Sequence, residues 1–235
     1  MKFASYNIHK AVGTDGVRDA DRVITVLREL DADVIALQEV DRRFGQRASV
    51  LSRAALDDTP WRPVAINRRP RSLGWHGNAL LVRRDMDILH AEPIDLPTLE
   101  PRGAVRADVA LGKARFRVIG THLDLSGLRR RDQIRALLGH VDGCAENLPC
   151  MLMGDFNQWG ERTGAMREFG HGWQVLAPGR SFPSRRPVAR LDRIVACDQW
   201  NCVEQGVHHS AMATRASDHL PIWCTVDMHK FSSHD

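Results

Sequence analysis

The chain has 235 residues, enough for one large domain or two small ones, and no break along it argues for two. Apolar residues make up 43% and charged residues 26%, an ordinary balance that excludes a disordered or collagen-like chain. The net charge of +4 permits an anionic partner without requiring one, and the five cysteines, without any C-x-x-C pair, indicate neither a disulfide framework nor a zinc site.

The first part of the chain alternates strand and helix patterns. Residues Lys2–Tyr6 alternate apolar and polar side chains, which predicts a strand. Residues Ala20–Leu30 carry apolar side chains at helical spacing, with Asp19 or Asp21 as the acidic start, and predict a helix that covers a sheet. The apolar run Asp33–Leu37 predicts a second strand.

The rest of the chain predicts more strands than helices. The further strands are expected at Trp61–Ile66, Gly77–Val82, near Ile88, Val105–Leu111, Phe116–Gly120, Cys150–Met153, Leu191–Ala196 and Leu220–Val226. The further helices are expected at Arg47–Leu56, at Arg129–Val141 and, as a short one, within residues 160–172.

From the hydropathy pattern we expect neither a membrane span nor a signal peptide in this sequence. No apolar run approaches the roughly 20 residues of a membrane span, and residues 2–6 do not begin a signal-peptide segment. We therefore expect a cytoplasmic, monomeric protein with one domain over residues 1–228 and a flexible tail over residues 229–235.

Polar side chains stand at the ends of several predicted strands. Four of them follow the C-terminal end of an apolar strand and three precede one: Asn7, Glu39, His122 and Asp155, then Asp192, Asp218 and His219. In a mixed sheet, strand ends and the starts of oppositely running strands lie on a common edge. The segments that carry these side chains are therefore expected to meet at one rim.

The stretch Gly154-Asp155-Phe156-Asn157 has two interpretations. Taken alone it favours an ordinary turn, because Asp and Asn cap their own backbone. Beside the other strand ends, Asp155 becomes one of several carboxylates close together. Without a cation, the repulsion among these carboxylates would raise some of their pKa values and weaken the fold. A divalent metal relieves that repulsion, and oxygen-rich ligands with amide support suit Mg²⁺ or Mn²⁺ rather than zinc.

Six motifs occur in a fixed order along the chain: Tyr6-Asn7, Leu37-Gln38-Glu39-Val40, Thr121-His122-Leu123, Gly154-Asp155-Phe156-Asn157, Leu191-Asp192-Arg193-Ile194 and Ser217-Asp218-His219 with Pro221. With them the chain resembles the endonuclease/exonuclease/phosphatase superfamily over almost its whole length. The resemblance implies an α/β fold, a four-layer α/β/β/α sandwich of two mixed sheets with outer helices. It also implies a phosphoesterase that uses Mg²⁺ or Mn²⁺.

The resemblance further implies one group of residues that binds the metal and another that positions the attacking water and the phosphate. Glu39 would be the principal metal ligand, with Asn7 and Asp218 assisting. Asp155 would orient or deprotonate the attacking water, and Asn157 would hold the scissile phosphate or its water.

Two histidines complete the implied catalytic set. His219, oriented by Asp192, matches the family's Asp-His pair, which acts as a general acid or base or as a transition-state donor. His122 would bind a phosphate oxygen or protonate the leaving group. Family members are interpreted differently on which residue is the general base, so that assignment stays open.

Substrate contacts are expected in two arginine-rich loops and beside them. The candidates are Arg68, Arg69, Arg71, Trp75, Asn78, Arg185 and Arg186. Loop arginines would track a phosphate backbone, and Trp75 would offer a stacking surface. Asn78 lies where deoxyribonuclease-like members place a carboxylate that supports the histidine equivalent to His122.

Three functions remain open at this point. The first expectation is a phosphodiesterase acting on nucleic acid, which the basic loops favour, and the other two are its alternatives. Hydrolysis of a phospholipid or a small soluble phosphate ester is favoured by Thr121-His122-Leu123 and by Arg130 with Gln133, which resemble the sphingomyelinase and deadenylase branches. A catalytically inactive binding module is the third, and the intact set of Glu39, Asp155 and His219 argues against it.

Overall fold

The computed structural model describes residues 1–42, 48–66, 68, 71–98, 102–161 and 163–228. The strands are β1 (Lys2–Asn7), β2 (Val34–Gln38), β3 (Trp61–Pro63), β4 (Ala79–Arg83), β5 (Asp87–Asp95), β6 (Gly103–Leu111), β7 (Ala114–His122), β8 (Cys150–Asp155), β9 (Trp173–Leu176), β10 (Asp192–Cys197), β11 (Trp200–Val207) and β12 (Ile222–Met228). The helices are α1 (Ala20–Leu30), α2 (Arg53–Asp57), α3 (Gly127–Asp142) and α4 (Ala211–Ala216), with short 3-10 helices at His9–Ala11 and Gly164–Glu168.

The strands form two six-stranded mixed sheets. The first has the order β11-β12-β1-β2-β4-β3, and the second has the order β5-β6-β7-β8-β10-β9. Each sheet contains one parallel pair at its centre, β1 with β2 and β7 with β8, while the other neighbours are antiparallel. This arrangement confirms the expected sandwich of two mixed sheets.

The two sheets face each other across one apolar core. Phe3 of the first sheet packs edge-to-face on Phe116 of the second, with ring centroids 5.7 Å apart, and Trp200 packs against both rings. Gly120 allows the close approach, because a Cβ there would lie 3.0 Å from the side chain of Leu80 on the opposite sheet. The alternation of side chains along each strand decides which of them enter this core.

The outer face of the first sheet is covered by α1, as the helical pattern predicted. Val23, Val26 and Leu27 pack with Tyr6 and Ile35 in a second apolar cluster. Charged and polar side chains occupy the exposed face of the helix, so its apolar stripe alone fixes how it lies on the sheet.

Several predicted elements are shorter than expected. The helix expected over Arg47–Leu56 is α2, five residues long, because the Ser52 hydroxyl accepts a hydrogen bond from the Ala55 N–H and starts the helix there. Arg47 and the predicted tail lie outside the described residues. The strand expected over Trp61–Ile66 ends at Pro63 on the edge of its sheet, and the expected helix within residues 160–172 is a 3-10 helix that starts at Gly164.

Among the described residues, the sequence patterns missed four elements, namely β9, β11, α4 and the 3-10 helix at His9–Ala11, and shortened another. Strands β9 and β11 carry mixed exposed and buried side chains, so their sequences do not show the two-residue period of a strand. Helix α4 is only six residues long, too short to show the 3.6-residue period of a helix. The strand expected near Ile88 is β5, which extends over nine residues and continues to Asp95. None of the helices in the described ranges combines the length and the apolar character that a membrane span requires.

Candidate active site

The predicted polar side chains lie at one end of the sandwich because of where the strands stop. In the second sheet, His122 pairs with Asp155 across the parallel strands β7 and β8, and Asp155 pairs with Asp192 across β8 and β10. In the first sheet, Asn7 ends β1, and Asp218 and His219 precede β12. The two rows face each other across the core, so side chains from distant segments meet.

Asp155 lies at the centre of the cluster and is 2% exposed. Its Oδ2 accepts a hydrogen bond from Asn7 Nδ2 at 3.1 Å and lies 3.4 Å from His122 Nε2 and 3.7 Å from His219 Nε2. Its Oδ1 accepts a hydrogen bond from the Asn157 N–H at 2.9 Å. This carboxylate therefore joins four of the residues expected to carry the chemistry.

Asp192 and His219 form the expected acid and imidazole pair. His219 Nδ1 lies 2.9 Å from Asp192 Oδ2, which also accepts a hydrogen bond from the Ser181 hydroxyl. Burial alone would lower the pKa of His219, but the carboxylates of Asp192, Asp155 and Asp218 outweigh it and raise the pKa to about 10. The imidazole is accordingly charged at neutral pH, and the ring of Phe182 packs on it at 4.8 Å.

His122 has the opposite electrostatic environment. Burial lowers its pKa to about 4, and the nearby guanidinium of Arg102 adds to the effect against the attraction of Asp155 and Glu39. The imidazole is therefore neutral at neutral pH. The two histidines on either side of Asp155 thus differ in charge under the same conditions.

Two of the three predicted metal ligands, Glu39 and Asp218, lie on the more exposed side of this cluster, whereas Asn7 is buried. The Glu39 side chain is 24% exposed and forms an ion pair with the Lys10 ammonium, while the Asp218 side chain is 38% exposed. Burial of Glu39 opposes its charge, yet the hydrogen bond from Lys10 and the proximity of His122 lower its pKa below the ordinary value. Asn7 Oδ1 accepts a hydrogen bond from the His9 N–H at 3.1 Å.

Donor chemistry at this edge fits a divalent cation. Asp155 and Asp192 each have a carboxylate oxygen within 4.8 Å of the other and of a His219 ring nitrogen, and of these three groups the charged imidazole is a donor while the two carboxylates could bind a metal. Asp192 Oδ1 is buried, and it has no hydrogen-bond partner within the part of the chain that the structure describes. A carboxylate oxygen in that position, next to a second carboxylate, is what a bound cation would satisfy.

Asn157 is held in a tight turn directly after β8. Its φ is 50°, a left-handed value that Asn tolerates better than most residues, and its Nδ2 donates to the Leu123 carbonyl at 2.8 Å. Gly154-Asp155-Phe156-Asn157 therefore forms the expected turn, and that same turn places Asp155 and Asn157 at the site. Gly154 is needed there, because a Cβ would lie 1.9 Å from the Thr121 carbonyl oxygen.

Two of the substrate-contact candidates lie behind the surface. Asn78 is fully buried and donates to the carbonyls of Gly103 at 2.9 Å and Trp75 at 3.3 Å, so it braces loops. Trp75 is 8% exposed, and its Nε1 donates to Asp95 Oδ1 at 2.9 Å while the Arg68 guanidinium lies over its ring. Neither side chain presents an open surface for a substrate.

The remaining arginine candidates lie on the surface. Arg71, Arg185 and Arg186 are exposed, and Arg185 donates to the Thr14 carbonyl at 3.0 Å. Arg69 lies outside the described residues. The exposed arginines belong to loops, as the sequence indicated.

Lys10, Ser181 and Arg102 were not predicted to belong to the site. Lys10 pairs with Glu39, Ser181 donates to Asp192, and Arg102 lowers the pKa of His122. The sequence signal that could have pointed to Lys10 is its position, since it is a cationic residue only three positions after the motif residue Asn7. Ser181 carried no signal, because its contact spans 11 residues through a loop.

An exposed apolar rim borders the site, formed by Leu125, Leu128 and Trp159, which are 75%, 73% and 67% exposed. Leu125 and Leu128 follow His122 in the chain, and Trp159 follows Asn157. Arg130 ties the two segments together, because it donates to the Leu125 carbonyl at 2.6 Å and to Gln158 Oε1 at 3.0 Å. The rim therefore lies on the two segments that follow His122 and Asn157.

Comparison with known proteins agrees with the fold and the motifs. A family model described as Endonuclease/Exonuclease/phosphatase family matches residues 4–219. The Uncharacterized protein YbhP of Escherichia coli K12 is 27% identical over 212 residues, which is 83% of each chain. The endonuclease/exonuclease/phosphatase from Bacteroides vulgatus has a similar structure, with a TM-score of 0.78 and 17% identity over 97% of this chain and 98% of that one. TDP2 of D. rerio, complexed with single strand DNA product, gives a TM-score of 0.73 and 18% identity over 97% of this chain and 99% of that one.

Proposed function

This chain belongs to the endonuclease/exonuclease/phosphatase family, whose members hydrolyse phosphate esters, and on that premise we propose that it hydrolyses a phosphodiester with Mg²⁺ or Mn²⁺. One observation carries the proposal. The buried Asp155 carboxylate lies between two histidines whose pKa values are shifted in opposite directions. Two titratable groups whose pKa values lie on opposite sides of neutral pH can take the acid role and the base role at the same pH.

In this proposal the metal would be held by Glu39, with Asn7 and Asp218 assisting. The attraction of the Lys10 ammonium to Glu39 supports it, because it indicates that this corner favours a cation. When bound, the metal neutralises phosphoryl oxygens and lowers the pKa of a coordinated water.

The proton transfers are assigned to residues whose charge the local contacts favour. Asp155 orients the attacking water or accepts its proton, and its hydrogen bonds from Asn7 and Asn157 fix the carboxylate plane. His219, kept charged by Asp192, donates to the negative charge that develops on the phosphate. Asn157 contributes to holding the phosphate at the same turn.

His122 acts as a neutral imidazole in this scheme. With its pKa near 4 it can donate a hydrogen bond to a phosphate oxygen without adding a charge, and it is a weak candidate for protonating a leaving group at neutral pH. The phosphate-binding role is therefore the one we propose for it.

Nucleic acid is the first substrate class that we propose. Its support is the exposed Arg71, Arg185 and Arg186, and the exposed Trp159, an aromatic ring that could stack on a base. The fold is shared with a protein that was crystallised with a single-strand DNA product. A backbone of repeated phosphates is the ligand that such loop arginines suit.

A phospholipid is the second candidate, and the apolar rim favours it. Leu125 and Leu128 are aliphatic and cannot stack on bases, whereas an acyl chain or a lipid surface would cover both of them together with Trp159. Which class is preferred depends on whether the rim or the arginines dominate binding.

The first experiment tests metal-dependent phosphodiesterase activity. We expect the protein to cleave bis-p-nitrophenyl phosphate with Mg²⁺ or Mn²⁺, to lose the activity in EDTA and to regain it when metal is restored. Turnover that persists in EDTA would rule out the proposed chemistry.

The second experiment separates the substrate classes with one panel of single-stranded DNA, duplex DNA, RNA, phospholipid vesicles and phosphomonoesters under one metal condition. Nucleic acid as substrate predicts salt-sensitive turnover that falls in the double variant Arg185→Ala/Arg186→Ala. A phospholipid predicts that vesicle turnover survives that variant and falls in Leu125→Ser/Leu128→Ser. Turnover of bis-p-nitrophenyl phosphate serves as the internal control for both variants.

A further inference from the structure

A left-handed turn follows β1 at the edge of the active site. His9, Lys10 and Ala11 have φ values of 46°, 57° and 57°, which residues other than glycine adopt rarely. Hydrogen bonds hold the turn from within and from the neighbouring loop: Ala11 N–H to the Ile8 carbonyl at 2.8 Å and Asp19 N–H to the Ala11 carbonyl at 2.8 Å. A conformation this unfavourable is kept where the surrounding structure requires it.

The turn brings Lys10 against Glu39 through both its backbone and its side chain. The Lys10 N–H donates to the Glu39 carbonyl at 3.1 Å, and the Lys10 ammonium pairs with Glu39 Oε2. Glu39 itself has a φ of 57°, so two strained backbone segments meet at this contact. The Arg18 guanidinium also donates to the Lys10 carbonyl at 3.2 Å, which fixes the turn from its outer side.

The pair is shielded enough for its charges to matter. The side chains of Lys10 and Glu39 are 28% and 24% exposed, so solvent screens them less than it screens a surface ion pair. Both partners of the contact are held in place, because the Lys10 N–H also donates to the Glu39 carbonyl. A second cation that binds the same carboxylate must therefore give up part of this interaction or share the site with it.

We propose that Lys10 is a built-in counter-ion of Glu39 that competes with the divalent metal for this carboxylate. The inference rests on the proposed function, in which Glu39 is the principal metal ligand. Lys10 keeps Glu39 neutralised and the site formed before metal arrives, and it lowers the affinity for metal because two cations then contend for one carboxylate. Such a coupling is reciprocal, so metal binding in turn releases the Lys10 ammonium.

The experiment measures Mn²⁺ binding to the EDTA-stripped full chain by isothermal titration calorimetry, with no substrate present. Lys10→Met and Lys10→Asn remove the charge, and Asn also suits the left-handed backbone. We expect both to bind Mn²⁺ at least about fivefold more tightly than the unaltered protein, a typical size for coupled sites. Lys10→Arg, which keeps the charge, and Lys113→Met, which removes an exposed charge on a distant turn, should bind within about twofold of it.

Thermal unfolding gives a second readout. In EDTA the neutral Lys10 variants should have a lower Tm than the unaltered protein, because Glu39 loses its counter-ion, and Mn²⁺ should raise their Tm by a larger increment. Equal or weaker Mn²⁺ binding in the folded neutral variants would overturn the proposal. Failure of both neutral variants to fold, with Lys10→Arg folded, would also overturn it, because the pair would then be purely structural.

Glu39→Gln distinguishes this inference from the proposed function. If Glu39→Gln binds Mn²⁺ as well as the unaltered protein, the metal site of the proposed function is wrong. If Glu39→Gln loses binding while the neutral Lys10 variants bind as the unaltered protein does, the proposed function stands and the role of Lys10 is wrong.

Discussion

At the scale of single residues, the neighbours of each histidine decide its chemistry. His122 and His219 both approach Asp155 Oδ2, at 3.4 Å and 3.7 Å. His219 has Asp192 as a second carboxylate at hydrogen-bond distance, whereas His122 has Arg102 nearby. Their charges at neutral pH therefore differ although their residue type and burial are alike.

Asp192→Asn tests this account of His219. The amide keeps the size of the side chain but removes the charge that raises the pKa of His219 to about 10. We expect that pKa to fall and kcat on bis-p-nitrophenyl phosphate to drop by about 10²–10⁴-fold, the usual contribution of acid or base catalysis. NMR titration of His219 and steady-state kinetics measure the two effects.

Ser181→Ala is the matched control for that variant. It removes the other donor to Asp192 Oδ2 and leaves the carboxylate charge in place, so both the pKa and kcat should change less. If Asp192→Asn retains full activity, Asp192 is a structural partner of His219 and the catalytic assignment of the pair fails.

At the scale of elements, close contact between β7 and β8 places two of the candidate catalytic side chains, His122 and Asp155, next to each other. Gly154 lets the two parallel strands approach beside Thr121, so that His122 and Asp155 become register partners. The same strands end at the segments that carry Leu123 and Asn157, which are joined by the Asn157 side chain. The geometry of the site therefore depends on one glycine inside a strand.

Gly154→Ala should weaken stability and activity together. Its Cβ would lie 1.9 Å from the Thr121 carbonyl oxygen, and such overpacking in a buried strand costs about 1–3 kcal/mol or more. Urea unfolding gives the stability and turnover gives the activity. Gly139→Ala in α3 is the matched control, because the added Cβ would meet no atom within 4 Å outside the backbone of its own helix, and it should stabilise the protein by up to about 1 kcal/mol.

The start of α1 gives a second prediction at this scale. The Asp19 side chain accepts hydrogen bonds from the N–H groups of Asp21 at 3.0 Å and Arg22 at 3.3 Å. Asp19→Ala should therefore lower the free energy of unfolding by about 0.5–2 kcal/mol. Asp21→Ala removes a first-turn charge without removing the cap, so urea denaturation should give a smaller loss, and an equal loss would contradict the capping role.

At the scale of the whole molecule, two facing sheets bring six separate segments to one edge. The parallel pair at the centre of each sheet supplies strand ends, and the antiparallel neighbours β10 and β12 supply strand starts beside them. Each sheet contributes part of the charge at the site. Stability of the whole fold is consequently linked to the protonation of the cluster.

Stability should therefore depend on pH in both directions from near pH 6.5. The folded pKa of His219 is raised from 6.5 to about 10, so its contribution is complete below 6.5 and is lost as pH rises through 10. The folded pKa of His122 is lowered from 6.5 to about 4, so the unfolded chain takes up its proton first and stability falls as pH drops from 6.5 towards 4.

Thermal unfolding in EDTA across that pH range measures this dependence. His219→Asn should flatten the alkaline side, and His122→Asn should flatten the acidic side, each without removing the other slope. An alkaline slope that persists unchanged in His219→Asn would contradict the raised pKa.

The sequence by itself determined the elements with a strong period and the residues at their ends. Helix α1 lies at Ala20–Leu30 as its apolar stripe and acidic start predicted, and the central strands follow the apolar runs. The motifs at those strand ends predicted the family and the sandwich of two sheets. Local spacing was sufficient there because a buried strand or an amphipathic helix must show its period in the sequence.

Only the tertiary structure decided which polar side chains touch and which are covered. The contacts of Lys10 with Glu39 and of Ser181 with Asp192 join segments that no local pattern relates, and the burial of Trp75 and Asn78 depends on loops packed over them. The opposite pKa shifts of His122 and His219 have the same origin, since charge and burial act through space.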